Sequence, residues 1–139
     1  MSLDDHKEMS RQVLAMWGRG TSVAPEDILA AYYVNHQMPD VRGGTSTMSL
    51  EEWKSLIADF HEGFSDTAAD ILQQVAEGDF VATRWQLSAT HTGDFRGLSA
   101  TGKQATWTGV HTDRFADGKI AESWVDWDKY RFLEELGAL

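Results

Sequence analysis

Two side chains able to exchange a proton lie on opposite sides of a turn signal near the end of this 139-residue chain. Asp117-Gly118 is typical of a tight turn between antiparallel strands. Pairing of Phe115 with Ile120 would begin such a hairpin. Strand alternation then places His111 opposite or diagonal to Asp126. Because a carboxylate beside an imidazole can act as an acid–base pair, this hairpin is the first candidate for a catalytic site.

The residues around Asp126 suggest how its carboxylate would be tuned. Trp124 and Trp127 would wall it off from water, which makes a carboxylate a stronger base near neutral pH. The geometry depends on the strand pairing, since a slip of one residue would replace Asp126 by Val125. An ordinary surface aspartate and a hydrogen-bonded sheet histidine are the alternative interpretation, and spacing alone favours it.

Other kinds of chemistry find less support. The chain has no cysteine, which excludes disulfides, a thiol nucleophile and a zinc–thiolate site. None of its five histidines has the spacing of a metal site, so we expect no metal. Two Gly-Lys segments, 101–103 and 117–119, predict turns rather than phosphate-binding loops. A hydrolase triad is not expected either, because no Gly-x-Ser-x-Gly elbow occurs.

The composition of the chain limits the kinds of binding partner that we expect. A formal charge of −10 disfavours nucleic acid and anionic membranes. No apolar run approaches the roughly 18 residues that span a bilayer, and the polar N-terminus does not resemble a signal peptide. We therefore expect a cytoplasmic protein with a single domain over residues 1–139. Six tryptophans and six phenylalanines would fill a core or line a cavity for a flat, apolar ligand.

Hydrophobic spacing predicts helices first and strands afterwards. The predicted helices cover about residues 4–17, 25–33 and 49–64, and the third begins with the capping-box pair Ser49 and Glu52. Strands are predicted over 80–90, 104–115 and 119–127, after an alternating segment at 71–75, and a short helix over 130–136 closes the chain. This order is typical of an α+β fold in which a curved sheet wraps round a long helix.

Several short motifs in the last third occur in a recognisable order: His91-Thr92-Gly93, Val110-His111-x-x-Arg114, Asp117-Gly118-Lys119-Ile120, the segment 124–128 and Glu135-Leu136-Gly137. In this order the chain resembles the SnoaL-like polyketide cyclase (ester cyclase) family of the nuclear-transport-factor-like superfamily, from about residue 11 to 136. The resemblance implies a cone-shaped, curved antiparallel sheet that encloses a pocket and packs against N-terminal helices. It also implies a homodimer or higher homo-oligomer built on the sheet faces, with no metal or organic cofactor.

The family's cyclases use an aspartate to remove an acidic proton from a carbon flanked by carbonyls. The enolate then closes a ring by an intramolecular aldol reaction, and a histidine assists. By this resemblance His111 matches the assisting histidine, and His91 matches the histidine of the His-x-Gly segment. Asn35 matches a pocket asparagine and Trp17 an aromatic residue near the end of the first helix.

The position of the cyclase aspartate is ambiguous. In the cyclases it precedes a tryptophan, as Asp126 precedes Trp127 here. An ungapped alignment from the hairpin turn instead places Val125 there, and Asp128 then matches a different aspartate before the last helix. Asp126 inherits the role only if the last strand contains a one-residue shift or bulge.

These considerations predict a cofactor-independent enzyme that acts on a small apolar carbonyl compound. Asp126 would be the general base and His111 its partner, while Asn35 and His91 would orient the substrate. Tryptophans would exclude water from the pocket, namely Trp17, Trp53, Trp85, Trp107 and Trp124.

Two alternatives stay open. The first is an isomerase or epoxide hydrolase of the same fold. An epoxide hydrolase would need an arginine between two carboxylates, and Arg84 and Arg114 are the candidates for this arginine. A non-catalytic small-molecule binding or dimeric scaffold protein is the other. Finding His111 and Asp126 on opposite faces of the sheet would favour the binding protein.

Overall fold

A computed structural model describes all 139 residues. It contains four helices and six strands, in the order α1 (Leu3–Ala15), α2 (Pro25–Ile28), β1 (Leu29–Met38), β2 (Ser46–Ser49), α3 (Leu50–Gly63), β3 (Phe64–Glu77), β4 (Phe80–His91), β5 (Gln104–Ala116), β6 (Lys119–Trp127) and α4 (Lys129–Leu136). None of the helices has both the length and the apolar composition that crossing a bilayer requires.

The long central helix α3 begins where the sequence predicts. The Ser49 hydroxyl accepts the backbone N–H of Glu52, and the Glu52 carboxylate accepts the N–H of Ser49, which completes a capping box. Trp53, Leu56 and Phe60 form the buried stripe of this helix. Their burial on one face holds α3 against the sheet.

All six strands form one sheet in the order β2-β1-β6-β5-β4-β3. Neighbouring strands pair antiparallel except β1 and β6, which run parallel. The predicted α+β architecture with a curved sheet is confirmed, and the sheet is mixed and unclosed. Its concave face carries the buried residues of the alternating strands β4 and β5.

The predicted second helix is wrong beyond its first turn. Helix α2 ends at Ile28, and the next ten residues form strand β1. Pairing with β2 on one side and with β6 on the other satisfies the backbone of β1, and this tertiary pairing outweighs the local apolar spacing. As a result Tyr33, Asn35 and Gln37 share the buried face of a strand.

A β-bulge interrupts the final hairpin directly after its turn. Phe115 pairs with Ile120, as expected, but Arg114 pairs with Glu122, so Ala121 is an extra residue in β6. Beyond the bulge every pairing is shifted by one position.

Gly109 in β5 lies beneath the side chain of Trp85 in β4. A Cβ atom at this glycine would lie 2.7 Å from Cη2 of Trp85 and 2.7 Å from the backbone oxygen of Asp126. The missing side chain therefore makes room for the indole across the sheet. This placement allows the indole N–H to reach the next inward residue of β5, His111.

We predict that Gly109→Ala will destabilise the protein by about 1–3 kcal/mol, because the added methyl group forces the Trp85 ring or the β6 backbone to move. Urea unfolding monitored by tryptophan fluorescence measures the change. Thr108→Ala is the matched control, because Thr108 neighbours Gly109 on the opposite, half-buried face. Equal stability of Gly109→Ala and the wild type would show that the indole does not need this space.

Candidate active site

A pocket opens between helix α3 and the concave face of the sheet. The pocket is narrow, with a volume of about 50 Å³. Eleven of the fourteen lining residues are hydrophobic. The lining comprises Trp17, Gln37, Asp40, Val41, Leu56, Phe60, Trp85, Leu87, Phe95, Trp107, His111, Val125, Trp127 and Phe132. Such a slot suits a flat apolar molecule with few polar groups.

His111, which lines the pocket, carries a single unpartnered hydrogen-bond donor. Trp85 Nε1–H donates to His111 Nδ1 at 2.6 Å, and since an indole nitrogen only donates, Nδ1 carries no proton. Burial lowers the pKa of His111 to about 3, so the ring is neutral and its proton lies on Nε2. Nε2 is buried and has no partner in the protein. His111 can therefore donate to a ligand oxygen, but in this tautomer Nε2 cannot accept a proton.

Trp17, which also lines the pocket, carries a second unpartnered donor. Its Nε1 is also buried without a partner in the protein, and the ring packs edge-on against Phe60 with centroids 5.2 Å apart. A buried N–H without a partner costs about 1–3 kcal/mol. A ligand oxygen, which has two lone pairs, would recover this cost.

The only carboxylate of the lining comes from the loop after β1. Asp40 lies beside Gln37 at the pocket, and its backbone is fixed on both sides. The Asp40 backbone N–H donates to the backbone oxygen of Gly44 at 2.8 Å, and Lys129 Nζ donates to the backbone oxygen of Asp40 at 2.8 Å. These contacts fix the Asp40 backbone, and its carboxylate accepts the backbone N–H of Arg42 at 3.3 Å.

The expectation that Asp126 faces the pocket is wrong. The bulge at Ala121 pairs His111 with Val125 and Val110 with Asp126. Val125 is consequently 4% exposed and lines the pocket, while Asp126 is exposed on the outer face. His111 and Asp126 thus lie on opposite faces of the sheet, the arrangement that favours a binding protein.

The same register shift moves Trp124 to the outer face, where it stacks on His36 with ring centroids 5.4 Å apart. Its predicted place in the pocket is wrong for the same reason. Trp53 does not line the pocket either, because it lies behind Trp17, edge-on at 6.4 Å. Of the five tryptophans expected in the pocket, Trp17, Trp85 and Trp107 line it.

Neither of the predicted substrate-orienting residues reaches the pocket surface. Asn35 is fully buried behind Gln37, to which it is hydrogen-bonded at 2.7 Å. His91 stacks on Phe64 at 4.9 Å, and its Nδ1 accepts the backbone N–H of Thr101 at 3.3 Å. Both side chains therefore hold neighbouring structure in place, and neither lines the pocket.

The arginines considered for an epoxide hydrolase lie away from the pocket. Arg84 is exposed and donates to Gln73 at 3.0 Å, and Arg114 pairs with Glu122 at 3.2 Å. The expected cluster of an arginine between two carboxylates is not formed.

Sequence reasoning missed Gln37, Asp40 and the importance of Asp113. Asp113 is completely buried two residues after His111 on the same face of β5, and it accepts hydrogen bonds from Ser10 and Ser123. Alternation along β5 is enough to place it on the same face as His111. Gln37 would have followed from the same alternation if β1 had been recognised as a strand.

A model of the SnoaL-like polyketide cyclase family matches residues 7–136, and the chain belongs to this family. No curated protein matches the sequence significantly.

Solved structures agree with this membership. AclR from Streptomyces galilaeus, a proposed hydroxylase, superimposes with a TM-score of 0.83 at 27% identity, and the alignment covers 99% of this chain and 88% of AclR. IdmH from Streptomyces antibioticus, a proposed polyketide cyclase, gives 0.77 and 26%, covering 94% and 97%. A proposed polyketide cyclase from Acidithiobacillus ferrooxidans gives 0.77 and 26%, covering all of both chains.

We predict that His111 stays neutral, with its proton on Nε2, throughout the range from pH 8 to pH 5. The reason is that its pKa is lowered to about 3 by burial and that its Nδ1 is occupied by the Trp85 N–H. Nitrogen-15 NMR of the imidazole rings tests this directly, with urea-unfolded protein, whose histidines titrate near pH 6.5, as the control. A His111 ring that gains a proton between pH 7 and 6 would refute the assignment.

We also predict that ionisation of Asp113 lowers stability as the pH rises. Burial raises the pKa of Asp113 from 3.8 to about 6, so the folded protein retains this proton at a pH where the unfolded chain has released it. The free energy of unfolding, relative to that of Asp113→Asn, should fall by about 2 kcal/mol between pH 4.5 and 7.5. Urea unfolding at both pH values measures this difference.

The matched control for that measurement is Asp126→Asn, a change of the same kind at an exposed position. Its stability difference from the wild type should stay nearly constant over the same range. A pH-independent difference for Asp113→Asn would contradict a raised Asp113 pKa.

Proposed function

We propose that the protein is a cofactor-independent enzyme that enolises a small, flat, apolar carbonyl compound. The observation that carries this proposal is the unpartnered His111 Nε2–H inside an aromatic pocket. When the oxygen of a carbonyl group accepts this hydrogen bond, the group becomes more electron-withdrawing. The C–H bonds of the adjacent carbon then become more acidic. Membership of a cyclase family agrees with this kind of chemistry.

In the proposed reaction His111 stabilises the oxygen on which negative charge develops. A neutral donor held by Trp85 needs no reorganisation when the enolate forms, and the dry apolar walls strengthen its hydrogen bond. Because the ring donates and does not ionise, His111 would not itself carry the substrate proton away.

Asp40 is the proposed base, since it is the only carboxylate of the pocket lining. It would take the proton from the carbon beside the carbonyl group and return it to the same or another carbon. The product would be a tautomer, or, where a second carbonyl group lies within reach, a ring closed by aldol addition of the enolate.

The test is exchange of the acidic C–H of ethyl acetoacetate for deuterium, followed by proton NMR with the background rate subtracted. Asp40→Asn should slow the protein-catalysed exchange by roughly 10²–10⁴-fold, the usual contribution of a general base. His111→Phe should slow it by roughly 10²–10³-fold, as expected for loss of an oxyanion donor.

Asp126→Asn is the matched control for Asp40→Asn, because both variants exchange an aspartate for its neutral isostere. We expect it to retain the wild-type exchange rate, since Asp126 faces away from the pocket. Loss of exchange in this variant, with Asp40→Asn fully active, would overturn the proposed roles.

Non-catalytic binding of the same class of ligand is the second candidate, and a specific observation favours it. Val125 occupies the inward position beside His111 at which the cyclases' aspartate was expected. Under this alternative the wild type would bind the keto ester and leave its exchange rate at the background value. Calorimetry with the same compound separates the two outcomes.

A further inference from the structure

A connected set of buried polar side chains runs behind the pocket. At its far end the Asp113 carboxylate accepts the Ser10 hydroxyl at 2.8 Å and the Ser123 hydroxyl at 2.6 Å. Both serines are buried, at 0% and 1% exposure. Ser123 lies opposite Asn35 in the parallel pairing of β6 with β1, so the set continues into β1.

On β1 the set reaches the pocket wall through three residues of one face. The Tyr33 hydroxyl accepts Asn35 Nδ2 at 2.9 Å, and Ser123, which lies opposite Asn35, is a neighbour of the same hydroxyl. Asn35 Oδ1 in turn accepts Gln37 Nε2 at 2.7 Å. Gln37 lines the pocket, so neighbouring polar side chains lead from the pocket to Asp113.

The carboxylate at the far end determines the direction of every hydrogen bond in this set. An ionised carboxylate only accepts, so the Ser123 proton points to Asp113. The Ser123 oxygen is then free to accept the Tyr33 proton, and the Tyr33 oxygen accepts the Asn35 amide. The Asn35 side-chain oxygen therefore faces Gln37. Gln37 must donate its NH₂ group to this oxygen. The Gln37 carbonyl oxygen is consequently the atom available to a ligand.

The protonation states agree with this direction. Burial raises the pKa of Asp113 to about 6, so the group is ionised at pH 8. Burial and, to a smaller extent, the charge of Asp113 raise the pKa of Tyr33. The phenol therefore keeps the proton that it donates.

We propose that Asp113, acting through Ser123, Tyr33 and Asn35, orients the Gln37 amide so that the pocket selects ligands carrying a hydroxyl group. Gln37 is then a specificity-determining residue, and the buried residues behind it are positioning residues. If these hydrogen bonds ran in the opposite direction, the Gln37 NH₂ group would face the pocket. The pocket would then favour ligands that only accept hydrogen bonds.

The Gln37 acceptor and the His111 donor together define the ligand chemistry. A compound with both a hydroxyl and a carbonyl oxygen satisfies them, as the enol of a dicarbonyl compound or a phenolic ketone does. This inference rests on the proposed function only in taking the pocket as the binding site. It requires no turnover, so the two can fail separately.

Two flat probes of equal ring size test the selection: 2-naphthol, which donates a hydrogen bond, and 2-methoxynaphthalene, which cannot. Calorimetry at pH 8 gives both dissociation constants for each variant. We expect the wild type to prefer 2-naphthol by roughly 3- to 10-fold, the typical effect of one neutral hydrogen bond. Ser123→Ala should bring this ratio to one or below, because it disconnects Tyr33 from Asp113.

Ser10→Ala is the matched control. It removes the other serine that donates to Asp113, at the same depth, but Ser10 does not connect Asp113 to Gln37. We expect it to retain the wild-type ratio. Tyr33→Phe removes only the hydroxyl group and gives a second test if Ser123→Ala folds poorly; it should also bring the ratio toward one.

An unchanged ratio in both Ser123→Ala and Tyr33→Phe would overturn the proposal. Equal losses in Ser10→Ala and Ser123→Ala would overturn it too, since they would indicate a general loosening of the core. Failure of both probes to bind the wild type would remove the pocket as a site for such ligands. Hydroxyl selection without any deuterium exchange of the keto ester would support this inference and contradict the proposed enzyme.

Discussion

The bulge at Ala121 is the constraint on which the interior of the protein depends. Alternate residues of a strand lie on opposite faces of the sheet. One extra residue therefore reverses which side chains face inward and which face outward along the rest of β6. Ser123 and Val125 turn inward, while Trp124 and Asp126 turn outward. The contents of the pocket and the buried polar set both follow from this single irregularity.

Two different environments result on the concave face. Toward the pocket, the valine at position 125 leaves His111 without a carboxylate partner, and its imidazole is neutral and held by Trp85. Deeper in the sheet, Ser123 reaches Asp113 and, together with Ser10, satisfies its carboxylate. The two serine hydroxyls offset only part of the hydration that this carboxylate loses, which is why burial still raises its pKa to about 6.

Much of this fold could be predicted from the sequence. Long segments with clear periodicity, such as α3 and the strands β4 and β5, agree with their predicted bounds within one or two residues. Strand β1 was missed because the apolar residues after Pro25 also fit a helix, and only pairing with β2 and β6 decides between them. Local sequence carries no direct signal for such distant partners.

The candidate site was harder to predict, because it depends on register. The turn and the first pair of the hairpin were correct, yet the bulge one residue later reversed the faces assigned to Trp124 and Asp126. An alanine between Ile120 and Glu122 gives no local indication of a bulge, unlike a glycine. Gln37 and Asp40 were missed for another reason, since strand β1, which carries Gln37 and leads into the loop of Asp40, was not predicted.

The register of the last hairpin is therefore the property to measure first. Nuclear Overhauser effects in the labelled protein report which side chain of β6 lies beside the His111 ring. The structure predicts strong effects from the Val125 methyl groups and none from the Asp126 methylene group. Effects from Asp126, with Val125 remote from the ring, would contradict the bulge and the account of the pocket built on it.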